Sequence, residues 1–373
     1  MSLVNTPSGN RLHIGIFGKR NSGKSSLLNA ITGQEIALVS EVKGTTTDPV
    51  SKAMEIHPIG PCLLIDTAGF DDTGDLGNMR IEKTKAVLDK TDVAVVVFSD
   101  MQMELETQWI AMLRQRKIPI LAVVNQVDRI EQVQEIKRQI EQRFSLTPLL
   151  VSAKEKTGIS QMKHEILRLM PPDFEAQSLT GSLVQPEDVV LLVMPQDKQA
   201  PKGRLILPQV QTIRDLLDNH CVVMCVTTEQ LSTALQALAK PPKLIITDSQ
   251  AFAQVYPLKP AETLLTSFSI LLAAYKGDLS AFVKGANALD SLTDDSHVLI
   301  AEACTHAPLQ EDIGRVKIPN MLRKKYGEHL QVTVVSGSQF PKDLSEYQLI
   351  IHCGACMFNR KHVLTRVEQA EQQ

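Results

Sequence analysis

Surplus positive charge is missing from this sequence: its formal net charge is −3 and its pI is near 6.3. A nucleic-acid backbone is therefore not an expected partner. Aromatic residues are scarce at 4%, and no basic or aromatic-rich appendage offers a surface for stacking bases. Long apolar runs are absent too. The longest, Leu264–Tyr275, is interrupted by Thr266, Ser267 and Ser269, too short and polar to span a bilayer, and reads as a buried helix. Met1–Asn10 is polar and lacks the apolar core of a signal peptide. No tandem repeat or low-complexity tract occurs. Six cysteines without a secretory signal argue for a reducing cytoplasm rather than for disulfides. What remains is a globular chain of 373 residues, 43% hydrophobic and 22% charged, long enough for two or three domains with their own cores.

Against that background the cysteines are unevenly placed. Three of the six, with two of the nine histidines, fall in Cys304-Thr305-His306 and His352-Cys353-Gly354-Ala355-Cys356. Thiolates and imidazoles grouped this way suit zinc or an iron–sulfur cluster. The Cys-x-x-Cys spacing lets two sulfurs grip one centre, and Gly354 would let the backbone wrap closely. Valine- and isoleucine-rich runs, His297–Ala303 and Tyr347–Ile351, precede the two halves. Two neighbouring strands would bring Cys304 beside Cys353 at one sheet edge. The bland alternative is a pair of buried thiols with incidental histidines.

At the other end, an apolar run over residues 11–17 leads into Gly18-Lys19-Arg20-Asn21-Ser22-Gly23-Lys24-Ser25 and a helical pattern through Leu27, Leu28 and Ile31. Strand, glycine loop and helix in this order form a phosphate-binding loop. Its backbone N–H groups and helix dipole favour phosphate. Gly18, Asn21, Ser22, Gly23, Lys24, Ser25 and Ser26 would then hold the nucleotide, Lys24 on the β- and γ-phosphates and Ser25 on Mg2+. Asp66-Thr67-Ala68-Gly69 follows an apolar strand and places a carboxylate beside the Mg2+ and the Gly69 N–H near the γ-phosphate. Asn125-Gln126-Val127-Asp128 ends another strand. The Asp128 carboxylate accepts from guanine N1–H and N2–H together, which adenine cannot offer. Ser152-Ala153-Lys154 supplies an N–H for the guanine oxygen. Motifs at successive strand ends place GTP at the carboxyl edge of a doubly wound sheet.

Between the first two motifs lies Gly44-Thr45-Thr46-Thr47-Asp48-Pro49, which resembles the switch of the TrmE–Era–EngA group of GTPases. That resemblance makes Thr46 an Mg2+ ligand, with Lys24, Thr46 and Gly69 the catalytic set. It also makes Asn21 a ligand for K+; the bland role for Asn21 is shaping the loop. Phe70 stands where Ras-like proteins carry the water-orienting glutamine, so hydrolysis is expected to be slow.

Met170-Pro171-Pro172-Asp173 marks a boundary. Val189–Met194, His220–Val226 and Lys243–Thr247 then read as three strands separated by helices near Val210–Leu217 and Glu229–Leu238. So small an α/β sheet completes itself by pairing with a second subunit. Cys221 and Cys225 read as core thiols. Helices follow over Leu264–Tyr275, Leu279–Leu289 and Asp312–Tyr326, with a strand over Gln331–Val335. A last charged helix, Lys361–Gln373, reads as solvated. The expected architecture is α/β throughout: a P-loop GTPase domain (1–172), a dimerisation domain (173–262) and a cluster-binding domain (263–373).

This domain order, together with Cys304-x-His306 and His352-Cys353-x-x-Cys356, resembles the HydF family of FeFe-hydrogenase maturation GTPases over nearly the whole chain. The resemblance implies a 4Fe–4S cluster on Cys304, Cys353 and Cys356. His306 and His352 are candidate exchangeable ligands; His306, at a strand-period offset from Cys304, is favoured over His352, which points away if the backbone is extended. It further implies a cytoplasmic homodimer that takes a diiron precursor from two radical-SAM maturases and delivers it to apo FeFe-hydrogenase. No nucleic acid and no membrane enter. Gln126 departs from the lysine usual in the guanine motif, and the chain stops short of the family's usual end. A ribosome- or tRNA-associated GTPase with a structural Cys3His zinc is the alternative, weakened by the acidic balance. A GTP-regulated enzyme acting at its own metal site lacks an assignable acid/base pair.

Overall fold

The computed structural model describes residues 6–33, 50–67, 86–172, 174, 178–195, 205–303, 313–337 and 339–373. They form two compact units, Met1–Phe174 and Glu175–Gln373.

In the first unit, six strands lie in the order β2-β3-β1-β4-β5-β6. They are β1 (Leu12–Gly18), β2 (Val50–Ile56), β3 (Gly60–Asp66), β4 (Val93–Phe98), β5 (Ile120–Val124) and β6 (Leu149–Leu150). Every pairing is parallel except β2 with β3. β1 and β4 are buried along their whole length because helices cover both faces, which is why they read as unbroken apolar runs. Ile14, Ile16, Val95 and Val97 pack with Leu27 and Leu28 of α1 (Lys24–Thr32) and Met162 and Ile166 of α4 (Ile159–Leu169). The alternate residues Phe17, Val96 and Phe98 pack with Trp109 of α2 (Glu104–Gln115) and Ile140 of α3 (Val133–Phe144). β2 has no counterpart in the sequence reading: Lys52 and Glu55 break its apolar pattern.

In the second unit, β7 (Val189–Val193), β8 (Val222–Val226), β9 (Leu244–Thr247) and β10 (Leu264–Ser267) form a parallel sheet in the order β10-β9-β7-β8. Its helices are α5 (Leu207–Asp218), α6 (Leu231–Ala237), α7 (Phe252–Val255) and α8 (Phe268–Lys276). The single helix expected over Leu264–Tyr275 is therefore a strand followed by a helix. Ser267 makes the break. Its backbone is extended and its side chain accepts from the Ile270 N–H, capping α8. Phe268 and Leu271 pack into the core of this sheet with Leu216 and Ile246. The sheet has four strands rather than three, and the expected boundary between residues 262 and 263 falls inside it. Cys221 is buried as expected, but Cys225 is exposed.

A second parallel sheet in this unit has the order β12-β11-β13, from β11 (His297–Glu302), β12 (Gln331–Ser336) and β13 (Leu349–His352). Its helices are α9 (Leu279–Ala286), α10 (Ile318–Tyr326, entered through a π-turn at Ile313–Lys317) and α11 (Arg360–Glu371). β11 and β13 are direct neighbours, with Ala301 opposite His352. Among the described residues no helix is long and apolar enough to cross a membrane.

Candidate nucleotide site and cysteine loop

The ends of β1, β3, β5 and β6 converge on one loop. Asn21 and Gly23 hold positive φ (62° and 83°), and a Cβ at Gly23 would collide with the Asn125 amide, so glycine is needed there. Asn125 is buried and ties three motifs together. Its Nδ2 donates to Ser22 O at 3.0 Å, and its Oδ1 accepts from Ala153 N at 3.2 Å. Ser152 Oγ donates to Asp128 Oδ1 at 2.7 Å, and this bond holds the Asp128 carboxyl below the usual range. Asp128 is thereby kept ionised and aimed. Gly23, Ser26, Asn125, Asp128, Ala153 and Lys154 line a cavity of about 230 Å³. Gln126 and Arg129 also line it. Sequence reasoning missed Arg129, which carries no motif signal.

At the phosphate end, Lys24 Nζ donates to Gly18 O (2.9 Å) and Lys19 O (2.7 Å). Ser25 Oγ donates to Asp66 Oδ2 at 3.1 Å. Asp66 Oδ1 is buried with no hydrogen-bond partner among the described residues. Burial raises the Asp66 carboxyl, while Lys24 and Ser25 pull it back. A hydroxyl and a buried carboxylate with a spare oxygen fit Mg2+. Two further contacts were not legible in the motifs. Gln126 Nε2 donates to Asn21 O at 2.8 Å, bracing the loop. Lys19 pairs with Asp100 beyond β4 at 2.7 Å, so that strand also serves the site. Thr46, Gly69 and Phe70 lie outside the described residues.

The cysteine loop leaves the carboxyl end of β13. Cys353 N donates to Ala301 O and Cys353 Sγ accepts from Ala303 N, both at 3.0 Å. Cys304, next in the chain, and His306 lie outside the described residues. The left-handed turn between the cysteines is made by Ala355 (φ 52°), not by Gly354. Gly354 is not required, since a Cβ there meets only ordinary contacts. Burial raises the Cys353 thiol, while the Ala303 and Ala355 N–H groups lower it. Backbone donors on sulfur and a tight turn joining two half-buried cysteines fit a metal–thiolate centre. No group of three or more His, Cys, Asp or Glu side chains assembles among the described residues.

His352 is not free to ligate in this arrangement, contrary to expectation. Its Nδ1 donates to Cys353 O at 2.8 Å, and its Nε2 accepts from Arg366 Nη1 at 3.1 Å. Burial pushes its pKa down to about 4, so the ring is neutral with both nitrogens engaged. The C-terminal helix corrects a second expectation. Arg366 on α11 is only 4% exposed and lies 4.7 Å from the ring centroids of both Phe340 and Phe358, so that face is not solvated. Sequence reasoning also missed Lys276, which is fully buried under the loop.

Three family comparisons cover most of the chain. Residues 13–126 match the family described as 50S ribosome-binding GTPase. Residues 179–277 match the hydrogen maturase F dimerization domain, and residues 280–373 its tetramerization domain. The chain belongs to the hydrogen maturase F family. It has this family's two association domains behind a P-loop GTPase domain. Over that GTPase domain it is 33% identical to GTPase Der of Wolinella succinogenes, across 42% of this chain and 36% of that protein. It is 38% identical to the tRNA modification GTPase MnmE of Bordetella petrii, across 42% and 33%. The chain thus spans about a third of the curated relatives it matches. A solved probable GTP-binding protein engB overlaps 42% of this chain and 97% of its own, at 22% identity and a TM-score of 0.36.

Proposed function

We propose that this chain is a GTP-hydrolysing scaffold that holds a 4Fe–4S cluster on Cys304, Cys353 and Cys356. From that platform it delivers the diiron precursor of the hydrogenase active site to apo FeFe-hydrogenase. The radical-SAM maturases supply that precursor, and the chain works as a cytoplasmic homodimer or higher assembly through residues 179–373. The cysteine turn carries this reading: two half-buried thiols share one tight turn, and one already accepts a backbone N–H. The cluster would supply an anionic iron–sulfur platform with one iron open to exchange.

On the GTP side, Asp128 reads the guanine edge and Asn125 locks the three loops that surround it. Lys24 turns from the Gly18 and Lys19 carbonyls to the β- and γ-phosphates. Ser25, Asp66 and Thr46 would hold Mg2+, which neutralises developing phosphate charge. Asn21 would hold K+, supplying positive charge where other GTPases insert an arginine. The match over residues 179–373 disfavours the zinc-bearing, ribosome-associated alternative. Incubating the metal-loaded, precursor-charged chain with apo FeFe-hydrogenase tests the reading. Hydrogen evolution should appear, and its absence with fully loaded protein would refute delivery.

A further inference from the structure

Lys276 closes α8, a helix whose Phe268 and Leu271 belong to the core of the β7–β10 sheet. Its side chain leaves that sheet. It is 1% exposed, and its ammonium donates to Ala355 O and Cys356 O at 3.2 Å and to Phe358 O at 2.5 Å. All three protons are spent on consecutive turns of one loop. Three donors converging on three carbonyls fix that loop's path. Arg360 fastens the same junction from the other side, donating to Tyr275 O (2.8 Å) and Gly277 O (3.0 Å) at the end of α8.

The charge of Lys276 is the second observation. A buried ammonium is disfavoured unless something negative lies near it. Lys276 is 1% exposed, and its ammonium lies against the Ala355 and Cys356 carbonyls of the cysteine turn. Among the described residues no carboxylate forms an ion pair with it. A lysine that serves only as packing would carry its charge to solvent along the stem, and this one does not.

We infer that Lys276 is the positioning residue of the cysteine loop. It clamps Cys353 and Cys356 into one orientation and serves as the internal counter-cation for the anionic metal–thiolate centre they form. Because it closes α8, whose Phe268 and Leu271 pack into the β7–β10 sheet, it is also the hydrogen-bonded link by which that sheet's packing sets the geometry of the metal loop. This rests on the metal-binding reading of the cysteines, and the two fail separately.

Two variants separate the clamp from the charge in the full-length chain. Lys276→Gln keeps amide donors and removes the charge; Lys276→Met removes both. Anaerobic titration with Co2+, read by its thiolate-to-cobalt charge-transfer absorption, reports the site, and hydrogen exchange reports the loop. Wild type should develop the band; if it does not, the metal reading itself falls. Lys276→Gln should weaken Co2+ binding by about tenfold, the scale of one lost charge at short range in a partly buried site. Amides of residues 353–358 should stay close to wild-type protection in this variant. In Lys276→Met those amides should exchange at least about tenfold faster, and cobalt should bind more weakly still. Wild-type cobalt affinity and loop protection in both variants would overturn the proposal. Protection lost evenly across β7–β13, rather than at the loop, would overturn it too, since Lys276 would then be only a core residue.

Discussion

The nucleotide site and the cysteine loop both hang from the carboxyl ends of parallel strands, yet they are built differently. In the GTPase unit the groups proposed to meet phosphate and base are fixed by their own neighbours. Asn125 bonds Ser22 and Ala153, Ser152 bonds Asp128, and Gln126 bonds Asn21. The motif residues brace one another. In the second unit the cysteine loop is braced by residues that carry no motif: Lys276 from α8, the Ala303 N–H after β11, and Arg366 from α11 acting through His352. A phosphate site made of backbone needs its residues in short runs. A thiolate site needs positive charge and donors from wherever the fold brings them.

This contrast can be broken most sharply at Lys24. Lys24→Ala should cut phosphate release from GTP by about a thousandfold, as expected when a charge on the transferring group is lost. Metal loading of the second unit should be unaffected, as measured by iron content in the same preparation. In the reverse direction, Cys353→Ser or Cys356→Ser should cost most of the iron after anaerobic reconstitution. Cys304→Ser should do the same, while nucleotide affinity stays at wild type.

Arg366 tests the scattered bracing. Arg366→Leu leaves His352 Nε2 and Gly337 O without their donor and removes two ring contacts. It should destabilise the second unit by about 2–3 kcal/mol, read as a lower urea midpoint. If the midpoint is unchanged, α11 is a solvated helix after all. Potassium gives a smaller effect: turnover should rise several-fold in KCl over NaCl at equal ionic strength, and Asn21→Ala should erase the difference. The smallest concerns Gln126. Gln126→Lys should tighten guanine-nucleotide binding by about 1 kcal/mol through a longer stem on the base, in calorimetric titration. An unchanged dissociation constant would show that the brace to Asn21 already compensates.

The same contrast explains what was legible in the sequence. The GTPase motifs sit at the ends of apolar runs, so strand, loop and helix were readable together, and β11 beside β13 followed from the runs before each cysteine pair. β10 was lost inside Leu264–Tyr275 because a short apolar run does not distinguish a buried strand from a buried helix. The signal was Ser267, an N-cap that looked like a mere polar interruption. Ala355, rather than the neighbouring glycine, takes the left-handed turn, which composition does not predict. Lys276 and Arg366 look like ordinary surface cations in sequence. Only the packing of α8 and α11 against the loop buries them.

The braced cysteine loop is proposed as the seat of an iron–sulfur cluster in a GTPase scaffold. Anaerobic purification followed by iron, sulfide and zinc analysis with an absorption spectrum tests it most directly. A brown protein with about four iron and four sulfide per chain is expected, the content of one 4Fe–4S cube. A colourless protein holding one zinc per chain, or no metal after reconstitution, would contradict it.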